Sequence, residues 1–398
     1  MKKFLIGTAI AALASTSALA DSHAETANIG IILGFTGPIE SLAPDMAAGA
    51  ELAIAEANTS GAFLNGTLLA SVRADSTCID AGAATAAAER LVTGDNVIGL
   101  MGADCSGVTT AIASNVAVPN GVVSISPSAT SPALSSIDDN GFFFRTAPSD
   151  ARQGEVLAEI VAERGIDSLA ITYTNNDYGL GLADAFQAAF EAAGGSVEIV
   201  AAHEDGKGDY SAEVGALAAA GADALAVFGY VDQGGRGIIQ SAIDTGAFDT
   251  FVLGDGMIGD SLTEGFGSDI NGSFGTAPGS DSDGFAFFDA MAKANGIEGD
   301  GPYRGESYDA AALIILAAQA AGSTDRVGIQ ANILNVANAP GTPIAPGQLG
   351  AALAILAAGG EVNYVGATGV ELIGPGEAAG SYRELEVIDG GFETMGVR

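Results

Sequence analysis

A chain of 398 residues is too long for one ordinary hydrophobic core and predicts about two domains. Its 14 Lys and Arg stand against 49 Asp and Glu, a formal net charge of −35, which excludes the cationic stripe that nucleic acid requires and a polybasic hold on anionic lipid. A hydrophobic share of 48% argues against disorder, and two Cys are too few for a disulfide-dense miniprotein.

The chain opens with Lys2 and Lys3, an apolar run over 4–13, and then Ala18-Leu19-Ala20, the small-x-small pattern that precedes a signal-peptidase cut. Residues 1–20 are expected to be a cleaved signal peptide and the mature protein to be exported, most simply to a bacterial periplasm. The apolar run is too short to span a bilayer, and no Cys follows the cut to carry a lipid. No later segment is both long and charge-free enough for membrane insertion. The apolar stretch 310–321 reads as a buried helix.

Strands and helices then alternate. Strands are predicted over 28–35, 68–74, 97–101 and 121–125, with helices over 43–58, 81–92 and 108–116 between them and a short extended piece at 142–145. Past Thr146-Ala147-Pro148 the rhythm restarts. Helices are predicted over 151–164, 179–193, 212–220 and 234–245, with strands over 168–173, 197–200, 224–228 and 250–253. This alternation predicts parallel sheets covered by helices on both faces. From about 282 the pattern is mostly helical, over 283–294, 306–321, 326–337 and 347–358, and two short strands follow at 370–373 and 382–388. Helices without strands of their own must cover a sheet already made, so this part is expected to return to the first block.

In open α/β sheets, ligands bind beyond the carboxyl ends of the strands. The informative residues are therefore those that follow each strand. Cys78 and Cys105 are among them, each just past a first-block strand. They are a disulfide, two buried thiols or a reactive pair. Their spacing is not C-x-x-C, and an oxidising compartment favours the disulfide.

The segments that follow the strands resemble those of the periplasmic branched-chain amino-acid binding proteins, the Leu/Ile/Val type that feeds ABC importers. The resemblance runs through Ile31-Ile32-Leu33-Gly34-Phe35-Thr36-Gly37-Pro38, Asp75-Ser76-Thr77-Cys78 and Gly102-Ala103-Asp104-Cys105-Ser106-Gly107. It continues through Ser126-Pro127-Ser128-Ala129-Thr130-Ser131-Pro132, Asp177-Tyr178-Gly179, Phe228-Gly229-Tyr230, Leu253-Gly254-Asp255-Gly256 and Tyr364-Val365-Gly366-Ala367-Thr368-Gly369. It implies a type I periplasmic binding fold, two Rossmann-like α/β lobes joined by a three-crossover hinge. Lobe 1 would hold 27–145 and 275–378, and lobe 2 would hold 146–274 and 382–398.

The resemblance also implies roles. Ser106 and Thr130 would hold a ligand carboxylate through hydroxyls and backbone N–H groups, Ala129 lying between Thr130 and Ser128. The Ser128 carbonyl and Asp255 would take an ammonium group. Tyr178 and Tyr230 would close over the ligand from the second lobe. Two departures stand out: Asp255 replaces the usual Glu, and Leu42 falls where those binders often place an aromatic. The implied partners are a small molecule, most simply an aliphatic amino acid, and a membrane permease, with the receptor itself a monomer.

Elementary chemistry agrees with such a site. A zwitterion leaving water needs both of its charges satisfied; hydroxyls and helix starts suit a carboxylate, and one carboxylate suits an ammonium. Taken singly, Ser106 and the 126–130 segment also read as caps and turns, Asp255 as a loop acid, and the two Tyr as half-buried aromatics. Their shared place at strand ends is what makes them a set.

Other motifs are set aside. Gly254-Asp255-Gly256-Met257-Ile258-Gly259 matches G-x-G-x-x-G but follows the last strand of its block rather than opening a βαβ unit, so no dinucleotide cofactor is expected. His23 is in the leader, and His203, beside Glu204 and Asp205, reads as part of a polar surface loop. No cluster has metal-ligand spacing and no nucleophile stands in a catalytic context, so the chain is not expected to be an enzyme. The rival readings are the same fold holding a small amide, urea or aromatic acid, or a ligand-sensing receptor subunit.

Overall fold

The computed structural model describes residues 25–299 and 301–398. The expected signal peptide, 1–20, lies outside the described residues. The first block runs β1 (Thr26–Leu33), α1 (Ala43–Ser60), β2 (Leu68–Asp75), α2 (Ala81–Glu89), β3 (Gly99–Gly102), α3 (Ser106–Ile112), β4 (Ser124–Ser126) and β5 (Phe143–Arg145). The second runs α4 (Asp150–Glu163), β6 (Ser168–Thr174), α5 (Asp177–Ala192), β7 (Ser196–His203), α6 (Ser211–Ala219), β8 (Ala224–Phe228), α7 (Gly234–Thr245), β9 (Phe251–Leu253), α8 (Asp260–Phe266) and β10 (Phe274–Pro278). Then come α9 (Asp283–Ala294), α10 (Arg304–Ala321), α11 (Arg326–Ala337), β11 (Thr342–Ile344), α12 (Leu349–Ala357) and β12 (Val362–Tyr364). The chain closes with β13 (Leu372–Ile373), β14 (Glu377–Ala378), β15 (Tyr382–Ile388) and β16 (Gly391–Val397).

Among the described residues fourteen of these strands form two seven-stranded sheets, ordered β13-β14-β5-β4-β3-β1-β2 and β16-β15-β10-β9-β8-β6-β7, and β11 and β12 pair in a small sheet of their own. The two orders repeat one plan. In each, the first strand of the block pairs in parallel with the second and third, β1 with β2 and β3, β6 with β7 and β8. The strand order therefore reverses beside β1 in one sheet and beside β6 in the other, which places a ligand crevice at those carboxyl ends. The fold is a two-lobed α/β type I periplasmic binding fold.

The late helices do return to the first sheet. The small side chains of α1 admit α10 so closely that a Cβ on Gly49 would lie 2.4 Å from the Arg304 carbonyl oxygen. Leu313, Ile314, Ile315 and Leu316 are consecutive and all fully buried, so α10 is covered on every side. Each such side chain contributes about 1.5–3 kcal/mol by burial.

The chain passes between sheets three times, after β5, after β10 and after β14. The passage expected at 274/275 falls instead after Pro278, because all of β10 pairs with β15 of the second sheet and its first two residues, Phe274 and Gly275, also pair with β9. The three crossovers touch one another. The Gly279 N–H donates to the Ser381 carbonyl at 3.0 Å, and the Ser381 hydroxyl donates to the Gly279 carbonyl at 2.7 Å. Gly380 has φ of 58°, and a Cβ there would meet the Pro148 ring at 2.6 Å, so the third crossover can cross the first only as glycine. Buried Glu306 lines the small cavity at this junction, and loss of solvent pushes its carboxyl up to about 8.

Candidate functional site

A narrow cavity opens where the carboxyl ends of the two sheets face each other. The first lobe supplies Ile39, Leu42 and Met46 as an apolar wall, with Asp104, Cys105, Ser106 and Ser128 beside them. The second supplies Tyr178, Tyr230, Asp255 and Gly256. Tyr303, just before α10, completes the lining.

Asp255 is 1% exposed and is held from both lobes. Tyr178 donates its hydroxyl to one carboxylate oxygen at 2.7 Å, and Tyr303 donates to the other. Burial pushes the Asp255 carboxyl above the usual range, while the two phenols and the Gly256 N–H pull the other way. Tyr178 stacks on Tyr230 with ring centroids 5.2 Å apart and planes 20° apart, forming a flat aromatic face with polar tips. Asn176 fixes both rings: its side-chain oxygen caps α5 by accepting the Tyr178 N–H at 3.1 Å, and its side-chain nitrogen donates to the Tyr230 hydroxyl at 3.3 Å.

On the opposite side, the Ser106 hydroxyl oxygen accepts the Ser131 N–H at 3.1 Å. That leaves the Ser106 proton free to donate to an acceptor in the cavity. The Ser128 hydroxyl donates to the Asp104 carbonyl at 3.0 Å. Ala129 and Thr130 are fully buried and lie outside the cavity wall. The Ala129 carbonyl accepts from Arg145 at 3.1 Å, and the Thr130 carbonyl accepts the Asp150 N–H at 2.9 Å.

Cys78 and Cys105 are joined in a disulfide with Cα atoms 5.2 Å apart, tying the end of β2 to the start of α3. Asp104, one residue earlier, accepts the Gly34 N–H, the Ser76 hydroxyl at 2.9 Å and the Cys105 N–H at 3.0 Å. The two devices lock three strand ends together behind the site.

Of the apolar wall the sequence marked Leu42 alone; it assigned no role to Ile39, Met46, Asp104 or Tyr303. Asp104 follows a strand directly and carried that cue; nothing local marks Tyr303. The glycine motif at 254–259 serves packing: a Cβ on Gly256 would lie 2.6 Å from the Gly229 carbonyl oxygen and 2.9 Å from the Tyr178 hydroxyl. His203 is a correction. It ends β7 and is 1% exposed, its Nδ1 lies 2.9 Å from the Thr172 hydroxyl, and burial lowers its pKa to about 4. The alternation of β7 carries it inward despite its acidic neighbours. Among the described residues no group of His, Cys, Asp and Glu could hold a metal ion, and no helix is long and apolar enough to cross a membrane.

Two reversed-order sheets facing across a cavity of this kind define a two-lobed solute-binding protein. Comparison with known proteins agrees. The chain belongs to the periplasmic binding protein family, whose model matches residues 26–353. It is 30% identical to the leucine-, isoleucine-, valine-, threonine- and alanine-binding protein of Pseudomonas aeruginosa, over 82% of this chain and 85% of that one. It is 28% identical to the chemotactic signal transduction system substrate-binding protein BasB of Halobacterium salinarum, over 92% of this chain and 88% of the relative. In structure it resembles a leucine-binding protein from Thermotoga maritima, with TM-score 0.78, 24% identity, and coverage of 93% of this chain and 98% of that one. It also resembles a solute-binding protein of Rhodopseudomonas palustris HaA2 in complex with p-hydroxybenzoic acid, with TM-score 0.76, 18% identity, and coverage of 94% and 97%.

Proposed function

We propose that this protein is an exported receptor that captures a small amino acid with an aliphatic side chain and delivers it to an ABC-type importer. One observation carries the reading: the cavity between the lobes is lined by a buried carboxylate, Asp255, a hydroxyl donor, Ser106, and an apolar wall of Ile39, Leu42 and Met46. Those are the three surfaces of a zwitterion with a hydrocarbon side chain.

In this reading Ser106 donates to the ligand carboxylate, and Thr130 supports it from behind the wall. Asp255 and the Ser128 carbonyl receive the ammonium. Tyr178 and Tyr230 cover the ligand from the second lobe, and closure is stabilised by contacts that exist only when the lobes meet. The protein acts as a monomeric carrier rather than an enzyme, and the closed form docks on the permease. Export through the 1–20 leader belongs to the same proposal.

A thermal-shift panel tests it. Leucine, isoleucine, valine, threonine or alanine should raise the melting temperature in a dose-dependent way, because a ligand that binds only the folded state stabilises it by mass action. A shift with 4-hydroxybenzoate, urea or a small amide and with no amino acid would overturn the ligand class. A sensory role is the second reading, favoured by the likeness to BasB. Co-purification from membranes with a signal transducer in place of a permease would establish it.

A further inference from the structure

One buried acid beside the site has no part in this account. Asp150 begins α4, just after the first crossover, and is fully buried. Neither of its carboxylate oxygens accepts a well-formed hydrogen bond. The fully buried hydroxyl of Thr130 lies beside it and acts on it as a donor.

The charged and titratable groups that interact electrostatically with Asp150 come from several elements: Asp255 at the end of β9, Tyr178 on α5, Tyr303 in the segment before α10, Tyr382 on β15 and Arg145 on β5. Arg145 is the only cation in that set, and it is committed elsewhere. Its Nε and Nη2 donate to Glu377 at 3.2 and 2.5 Å, its Nη2 also to the Ser135 hydroxyl at 2.7 Å, and its Nη1 to the Ala129 and Ser131 carbonyls at 3.1 and 2.9 Å. That exhausts the five N–H donors of a guanidinium. Arg152, on α4 itself, is turned to solvent and paired with Glu155.

Two carboxyls therefore share one dry region without a counter-ion of their own. Both cannot be ionised together at ordinary cost, so the pair retains a proton. Asp150 does not line the cavity and acts on a ligand through Asp255 and Thr130, which makes it a positioning residue.

We propose that Asp150 and Asp255 form a proton-sharing pair which gives up its proton when a ligand ammonium arrives, so that capture of an amino acid releases a proton and a carboxylate without an amine is rejected. The inference rests on the amino-acid reading above. The step balances: the O–H bond of the neutral carboxyl breaks, its electron pair stays on the carboxylate oxygen, and the proton passes to solvent. The ligand keeps its three N–H bonds, and its positive charge replaces the lost proton.

Isothermal titration of the full mature protein with L-leucine, in buffers of different ionisation enthalpy, tests this. Up to about one proton should be released per leucine bound, with affinity rising by up to about tenfold per pH unit where the pair holds its proton. In Asp150→Asn the release should vanish and the dissociation constant should become flat with pH. Leucine binding without proton exchange in the wild type overturns the inference while leaving the amino-acid reading intact, and it does so whether or not the variant folds. Equal release in Asp150→Asn also overturns it. If leucine gives no heat and 4-hydroxybenzoate binds, the ligand class fails and the inference falls with it.

Discussion

Across the mouth of the cleft, the Asp232 carboxylate of the second lobe accepts the Ser41 N–H of the first at 2.8 Å. The contact is reinforced on both sides. The Asp232 N–H donates to the Pro38 carbonyl at 3.0 Å, and the other carboxylate oxygen accepts the Ser261 hydroxyl at 2.8 Å. Asp232 is not part of the cavity lining, so it favours closure without recognising the ligand. Substituting Asp232→Ala should remove about 1 kcal/mol from the closed state. Affinity should fall about fivefold, chiefly through faster dissociation in stopped-flow measurements. A normal dissociation rate would show that this clasp does not hold the lobes.

Asp255→Ala should weaken amino-acid binding at least about tenfold, because it leaves the ammonium without its charge partner. Asp255→Glu keeps the charge and should recover much of that loss. The check is titration calorimetry of both variants with the strongest amino acid in the thermal-shift panel. An unchanged dissociation constant in Asp255→Ala would remove Asp255 from the site.

The bridge between Cys78 and Cys105, 27 residues apart in sequence, limits the freedom of the unfolded chain. Replacing both with Ser should cost roughly 3–4 kcal/mol in urea unfolding. The native protein should take up no alkylating reagent until it is reduced. Two thiols labelled in the intact oxidised protein would contradict the bridge.

Glu306 makes the hinge sensitive to pH. Its carboxyl holds a proton up to about 8 in the fold, against an ordinary value of 4.5. Between those values the native state binds a proton that the unfolded chain has lost, so stability from this group falls as pH rises through the window and is level above it. Glu306→Gln should melt above the wild type by a margin that widens from pH 5 to pH 8. A constant margin in differential scanning calorimetry would show that Glu306 ionises normally.

The repeated strand–helix alternation was readable because each buried strand is a short apolar run and each helix carries its own period. β10 was not: Phe274-Gly275-Thr276-Ala277-Pro278 has no continuous apolar run and resembles a linker. It becomes a strand because β9 and β15 flank it. Tyr178, Tyr230 and Asp255 were legible from their position after strands. Tyr303 was not, because it reaches the cleft only through the packing of α10 against α1, a contact between segments far apart in sequence. His203 shows the converse error. Its acidic neighbours suggested water, while the pleat of β7 turned it inward.

The three crossovers have a consequence for biosynthesis. A chain that appears from its amino end meets β5 long before β14, the strand that pairs beside it, and β10 long before β15. Each half-built sheet must therefore wait with an unprotected edge, a state prone to wrong pairing. Maturation then converges on a late, nearly simultaneous closure of both halves. Protection of the growing chain matters most for the interval between the emergence of β5 and that of β16, and a nick in the tail should unravel both halves rather than one.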